Sequence, residues 1–150
     1  MTDSINGWQR TKLWAYEHMV IGTLESSMRL AGRWSSARPE KHGVTVIRNV
    51  PYKDGGGWDH QLDIYQPPGD GPHPVAMYIH GGGFQFFDRN THWMMAGALA
   101  RAGFLTFNIS YRRAPQSPYP AALEDAAEAC VWVQNNAKQY GGDGGRPVWA

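Results

Sequence analysis

A single cysteine, Cys130, excludes an internal disulfide and fits a reducing compartment. No stretch approaches the ~18 uninterrupted apolar residues that a spanning helix requires. The opening residues Met1, Thr2, Asp3 and Ser4 carry an acid and no apolar run, so no signal peptide is expected and the cytoplasm is the default location. Excess charge is lacking as well: Lys plus Arg total 14 against 13 Asp plus Glu, for a formal net charge of +1. That balance, with basic residues scattered along the chain, gives no reason to expect nucleic acid or an anionic membrane as partner. Internal repeats and low-complexity tracts are absent from the sequence. His18, His42, His60, His73 and His92 show no metal spacing such as H-E-x-x-H and read as surface or loop residues, so neither metal nor other cofactor is expected.

What is present suffices for one domain: 150 residues, of which 42% are apolar. Aromatics reach 13%, with seven Trp, which points to a substantial core and an apolar ligand pocket. Residues 8–38 read as helical, because Leu13, Val20, Leu24, Met28 and Ala31 recur at three-, four- and seven-residue spacings. Gly22 and Gly32 weaken that pattern and allow two helices, and Pro39 and Gly43 close it. The period then changes to two. Val44, Val46 and Val50 mark one strand; residues 60–65 mark a second, with Leu62 and Ile64 on one face and Asp63 on the other. The turn at 54–57 between them predicts an antiparallel pair.

Past a proline- and glycine-rich loop at 67–74, strands at 75–79, 104–109 and 147–150 alternate with helices at 93–102 and 121–140. Met94, Met95, Ala98 and Leu99 supply apolar positions on the first of these helices. Leu123, Ala127, Cys130, Val131 and Val133 supply them on the second. Cys130, mid-helix among apolar neighbours, reads as a buried structural thiol. Such alternation predicts a parallel sheet with right-handed crossovers.

The segment His80, Gly81, Gly82, Gly83, Phe84 follows the buried strand at 75–79 directly. Three consecutive glycines are costly in backbone entropy, so a loop that keeps them needs unusual φ/ψ or close ligand approach. Strand, His-Gly-Gly-Gly, loop and helix is the arrangement in which lipases and esterases present backbone N–H groups to an oxyanion. A merely flexible strand-to-helix turn is the plainer reading. A phosphate loop is disfavoured, because neither G-x-G-x-x-G nor G-K-[ST] occurs.

Taken with three further segments, the sequence resembles the α/β-hydrolase superfamily in its hormone-sensitive-lipase-like, carboxylesterase-like branch. Val50, Pro51 and Tyr52 followed by Leu62, Asp63, Ile64, Tyr65 and Pro67 match that family's opening hairpin. Tyr111, Arg112, Arg113, Ala114 and Pro115 with Tyr119, Pro120, Ala121 and Ala122 match its Y-R-x-A-P…[FY]-P-A-A signature. Glu124 and Asp125, then Tyr140, Gly141, Gly142 and Asp143, match the helix and turn before the nucleophile strand. The sequence departs from the pattern at Arg113, where many members carry an apolar residue, and at Gln116, where glutamate is common.

The resemblance implies an α/β-hydrolase fold: a mostly parallel sheet with an antiparallel first hairpin and helices on both faces. It implies a helical cap-like segment at 1–40 and the N-terminal half of the hydrolase domain at 41–150. Gly82 and Gly83 would be the oxyanion donors, Gly81 would shape the loop and His80 would orient it by hydrogen bonding. Phe84, Phe86 and Phe87 would lie near the acyl or alcohol side of a small-molecule ester. Residues 111–115 would buttress the loop, and Asp125 would cap or anchor its helix. The full-length protein could form a homo-oligomer.

The family's nucleophile is a serine in G-x-S-x-G, with the acid and histidine later in the sequence. None of Ser4, Ser26, Ser27, Ser35, Ser36, Ser110 or Ser117 has the flanking glycines. The expectation is therefore a fragment of a longer serine esterase, truncated before the nucleophile elbow and inactive alone, with an apolar central strand left at its sheet edge. A non-catalytic small-ligand-binding module, or a partner subunit on the same fold, is the alternative.

Overall fold

Apolar residues at period two, and the continuous apolar run at 75–79, become the strands β1 (Thr45–Pro51), β2 (Gln61–Gln66), β3 (Val75–Ile79), β4 (Leu105–Ile109) and β5 (Val148–Trp149). The structure, a computed structural model, describes residues 7–31 and 37–150. Among these residues the strands form one sheet in the order β1-β2-β4-β3-β5. The first hairpin is antiparallel and β2 pairs antiparallel with β4, whereas β3 runs parallel to both β4 and β5. Both the predicted hairpin and the predicted parallel half are present.

Among the described residues the α-helices are α1 (Gly7–Ala31), α2 (Trp93–Arg101) and α3 (Ala121–Asn136). One sheet face packs Leu62, Ile64, Met77 and Phe107 against Ala129, Cys130 and Val133 of α3. The other face packs Val44 and Tyr65 against Trp93, Ala96 and Ala100 of α2. Every residue of β4 is buried, as a strand covered on both faces requires. Each large apolar side chain so enclosed contributes about 1.5–3 kcal/mol. No described helix is long and apolar enough to cross a membrane. The described residues also contain no group of three or more His, Cys, Asp or Glu disposed to hold a metal ion.

Several expectations shift in detail. α1 is one helix through Gly22, while Gly32 and Arg33 lie outside the described residues. Its Val20 and Leu24, expected on a buried stripe, are exposed. Met94, Met95 and Ala98 of α2 also face outward, because the sheet meets the turn-to-turn row Trp93, Ala96, Gly97 and Ala100 instead. On α3 the row Leu123, Ala127 and Val131 is exposed, and the buried row is Ala121, Asp125, Ala129, Cys130 and Val133. α3 ends at Asn136, and a 3-10 turn at Ala137–Tyr140 carries the chain to Gly141 in the left-handed region.

The alternation along β1 is interrupted. Ile47 pairs with Ile64 and Val50 with Leu62, so three steps on β1 match two on β2. That is a β-bulge, with Asn49 at φ 59. In consequence Val46 packs on the α2 side, whereas Ile47 and Val50 pack on the α3 side.

Candidate active site

The parallel strands β3 and β4 both deliver their C-terminal ends to one rim of the sheet. There β3 runs into the loop 80–92 and β4 into the loop 110–120. A crevice at the carboxyl ends of parallel strands is the usual ligand position in an open α/β sheet.

His80 leaves β3 almost wholly buried, at 2% exposure. Its Nδ1–H donates to the Gly81 carbonyl at 3.0 Å, since a carbonyl can only accept. Tyr111 stacks on the imidazole with ring centres 4.2 Å apart, and its hydroxyl donates to the His80 carbonyl at 2.7 Å. Burial, far from any carboxylate strong enough to offset it, lowers the His80 pKa from 6.5 to about 4. The ring is therefore neutral near pH 7.

Gly82 stands at φ 122, and a Cβ there would collide with the Phe86 carbonyl oxygen and come within 2.9 Å of the Phe87 ring. Only glycine fits. The Gly82 carbonyl accepts from the N–H groups of Gln85 (3.2 Å) and Phe86 (3.0 Å), which closes the turn. The N–H groups of Gly82 and Gly83 have no acceptor among the described residues. They are donors left unspent at the rim of the sheet, the state that binding an oxyanion requires.

Phe84 (φ 60) and Phe87 (φ 66) also occupy the left-handed region, which costs a non-glycine residue of order 1 kcal/mol and persists only when neighbours over-determine it. Those neighbours are visible. The Phe84 carbonyl accepts from Ala114 N–H at 2.9 Å. The Phe87 N–H donates to Glu25 Oε1 at 3.0 Å, and its carbonyl accepts from Arg113 Nη1 at 2.7 Å. Glu25 comes from α1 and Arg113 from the loop after β4, so one residue is clamped from two directions.

The loop is anchored at its far end by Arg89, which is fully buried. Its Nε donates to Asp63 (3.2 Å), Nη1 to Ser110 Oγ (2.7 Å) and the Trp58 carbonyl (3.1 Å), and Nη2 to Asn49 Oδ1 (2.7 Å) and Gln61 Oε1 (3.0 Å). All five guanidinium donors are used. The β1 bulge delivers Asn49 to this network, and Asn49 N–H donates to Asp63 Oδ1 at 2.9 Å.

A second buried network supports residues 111–115. Asp125 of α3 accepts from Arg112 N–H (2.8 Å), Nε (2.9 Å) and Nη2 (2.8 Å), and lies 3.0 Å from His60 Nε2. Burial raises the Asp125 pKa, but the Arg112 hydrogen bonds and the nearby His60 outweigh it and hold the carboxyl below its usual value. The adjacent Glu124 is exposed, as adjacent helix positions dictate. His60, expected at the surface, is instead buried between Asp125 and the Gly56 carbonyl. His92, expected there too, is half-buried, its ring 5.8 Å from that of His80. Cys130 is a buried thiol, and burial pushes its pKa up.

Of the aromatics after the glycines, Phe84 is 59% exposed and helps line a cavity of about 340 Å³ with Gly83, Ala114, Tyr119, Pro120 and Leu123. Phe86 and Phe87 do not line it. Phe86 meets His18 of α1 edge-on at 5.5 Å, and Phe87 meets His92 at 5.4 Å. Sequence reasoning missed Arg89 and Glu25. For Arg89 a signal existed: Asp63 sits on the inner side of a core strand, and a buried carboxylate there demands a cation. For Glu25 no pattern marks it.

The profile of the alpha/beta hydrolase fold family matches residues 76–150, half of the chain. Among curated proteins, esterase LipI of Mycobacterium tuberculosis is 42% identical over 87 residues, covering 55% of this chain and 27% of that protein. Carboxylesterase NlhH of the same species is 40% identical over 96 residues, covering 60% and 30% respectively. The chain thus spans less than a third of the length of these relatives. The crystal structure of esterase LipW from Mycobacterium marinum superposes with a TM-score of 0.67 at 30% identity, over 97% of this chain and 43% of that one.

Proposed function

The chain belongs to the alpha/beta hydrolase fold family, and on that footing we propose that it carries the oxyanion-binding half of a serine-dependent carboxylic-ester hydrolase. One observation carries the reading: adjacent N–H groups at Gly82 and Gly83 that have no acceptor among the described residues, in a loop whose shape requires glycine at 82, at the C-terminal end of β3. The names of the relatives, esterase and carboxylesterase, support it.

In this reaction a serine hydroxyl adds to the ester carbonyl and passes its proton to a histidine. The carbonyl oxygen gains the charge, and the Gly82 and Gly83 N–H groups donate to it. The tetrahedral intermediate then expels the alcohol, and water releases the acid from the acyl-enzyme. His80, neutral and stacked on Tyr111, holds the Gly81 carbonyl and so fixes the start of the loop. Phe84 contacts the apolar part of the substrate; Phe86 and Phe87 act from behind the loop, through His18 and His92. G-x-S-x-G occurs nowhere in the 150 residues, so this reading assigns the nucleophile, acid and catalytic histidine to sequence outside this chain.

The test is hydrolysis of p-nitrophenyl butyrate by the whole protein. Hydrolysis should be abolished by one equivalent of a serine-directed phosphonate, and Gly82→Ala should lower kcat by about 10²–10³-fold. Activity that survives phosphonate treatment overturns the serine mechanism. Ester binding without turnover favours a non-catalytic ligand-binding module instead.

A further inference from the structure

The segments 83–85 and 113–117 lie side by side, tied by the hydrogen bond from Ala114 N–H to the Phe84 carbonyl. Their residues sort by face. Gly83, Phe84, Ala114 and Ser117 line the apolar cavity of about 340 Å³. Gln85, Arg113 and Gln116, with Asp59, line a second cavity of about 370 Å³. The oxyanion loop is thus a wall between an apolar pocket and a polar one. Two of the four polar lining residues, Arg113 and Gln116, are also the positions where the sequence departs from the signature it resembles.

The chemistry of the second cavity selects its occupant. Arg113, held by its Nη1 on the Phe87 carbonyl, supplies its remaining guanidinium donors, Asp59 a carboxylate, and Gln85 and Gln116 a donor and an acceptor each. Arg113 Nη2 and Asp59 Oδ1 stand 3.7 Å apart, beyond hydrogen-bond length. An anion would meet Asp59 and a cation would meet Arg113, whereas adjacent hydroxyls can donate to one and accept from the other. The Trp58 ring centre lies 5.6 Å from the Arg113 guanidinium carbon and backs that side chain with a cation–π contact.

We propose that the cavity formed by Asp59, Gln85, Arg113 and Gln116 is a binding subsite for a neutral polyhydroxylated group, glyceryl or sugar, on one side of the scissile ester. The other side of the ester is apolar and occupies the pocket at Phe84. The placement relative to a scissile bond rests on the esterase reading; the polyol site itself does not.

The experiment titrates glycerol, methyl β-D-glucopyranoside and n-hexanol separately into the ¹⁵N-labelled whole protein, reading the side-chain amide signals of Gln85 and Gln116. The expected result is a saturable shift of both signals with glycerol or the glucoside, whichever is the ligand class, and none with n-hexanol. Asp59→Ala should weaken that binding about tenfold or more, because a hydrogen bond to a charged acceptor is lost. Gln116→Leu, on an exposed loop, should do the same without disturbing the core. The inference is overturned if neither polyol shifts the two signals, if n-hexanol shifts them equally, or if both variants bind like the parent. Failure to hydrolyse p-nitrophenyl butyrate would count against the reaction and leave this binding result standing.

Discussion

The Nδ1–H of His80 is spent on the Gly81 carbonyl, and its Nε2 is buried with no hydrogen-bond partner among the described residues. Protonation would add a charge and a donor where nothing receives them, which is why burial lowers the pKa to about 4. The unfolded chain keeps an ordinary value near 6.5, so between pH 6.5 and 4 it binds the proton that the folded chain refuses. Stability should therefore fall as the pH drops through that window, by on the order of 3 kcal/mol at its lower end. Asp125 acts lower: its folded pKa is depressed, so its contribution is present above about 3.8 and is lost as pH falls through the folded value. Urea unfolding of the parent and of His80→Asn across pH 4–7 checks this. The parent should lose stability towards pH 4 and the variant should lose markedly less; parallel curves would show that His80 is not the titrating group.

Among the elements, α1 departs most from what its sequence suggests. The apolar spacing selects Val20, Leu24 and Met28, but the half-buried row is Ile21, Glu25 and Met28. This row serves the loop: Glu25 holds the Phe87 N–H, and the Met28 carbonyl accepts from Trp93 Nε1 at 3.3 Å. Helical periodicity reveals which residues are apolar, not which face a hydrogen-bond donor will claim, so that face was not legible. Glu25→Ala should accelerate hydrogen exchange at the Phe87 amide about tenfold or more, and Glu25→Gln, which keeps an acceptor, should restore most of the protection. Unchanged exchange in the alanine variant would mean that α1 does not set the loop. The β-strands were far more legible, because a continuous apolar run such as Val75–Ile79, bounded by turn residues, points to a strand in a sheet covered on both sides. The β1 bulge was not, since Val44, Val46 and Val50 keep the even spacing of an unbroken strand. The glycine run was readable as a functional loop because its backbone cost demands a reason. Arg89, five hydrogen bonds deep, lies in a stretch without any period.

For the molecule as a whole, the sheet order places the loops after β3 and β4 on one rim, with β5 pairing beside β3 at Ala76–Val148 and Met77–Trp149. The rim has an apolar pocket at Phe84, a polar one at Arg113, and the glycine loop between them. The buried Arg89–Asp63 pair anchors that loop, and the Arg112–Asp125 pair anchors the adjoining loop after β4. The central claim is that the backbone N–H groups of Gly82 and Gly83 receive the developing oxyanion. Its most direct measurement is the ¹H–¹⁵N spectrum of the whole protein before and after reaction with a serine-directed phosphonate, whose phosphoryl oxygen stands in for that oxyanion. The account predicts that the Gly82 and Gly83 amide protons both move downfield and become protected from exchange. A phosphonylated protein in which both signals stay where they were would contradict it.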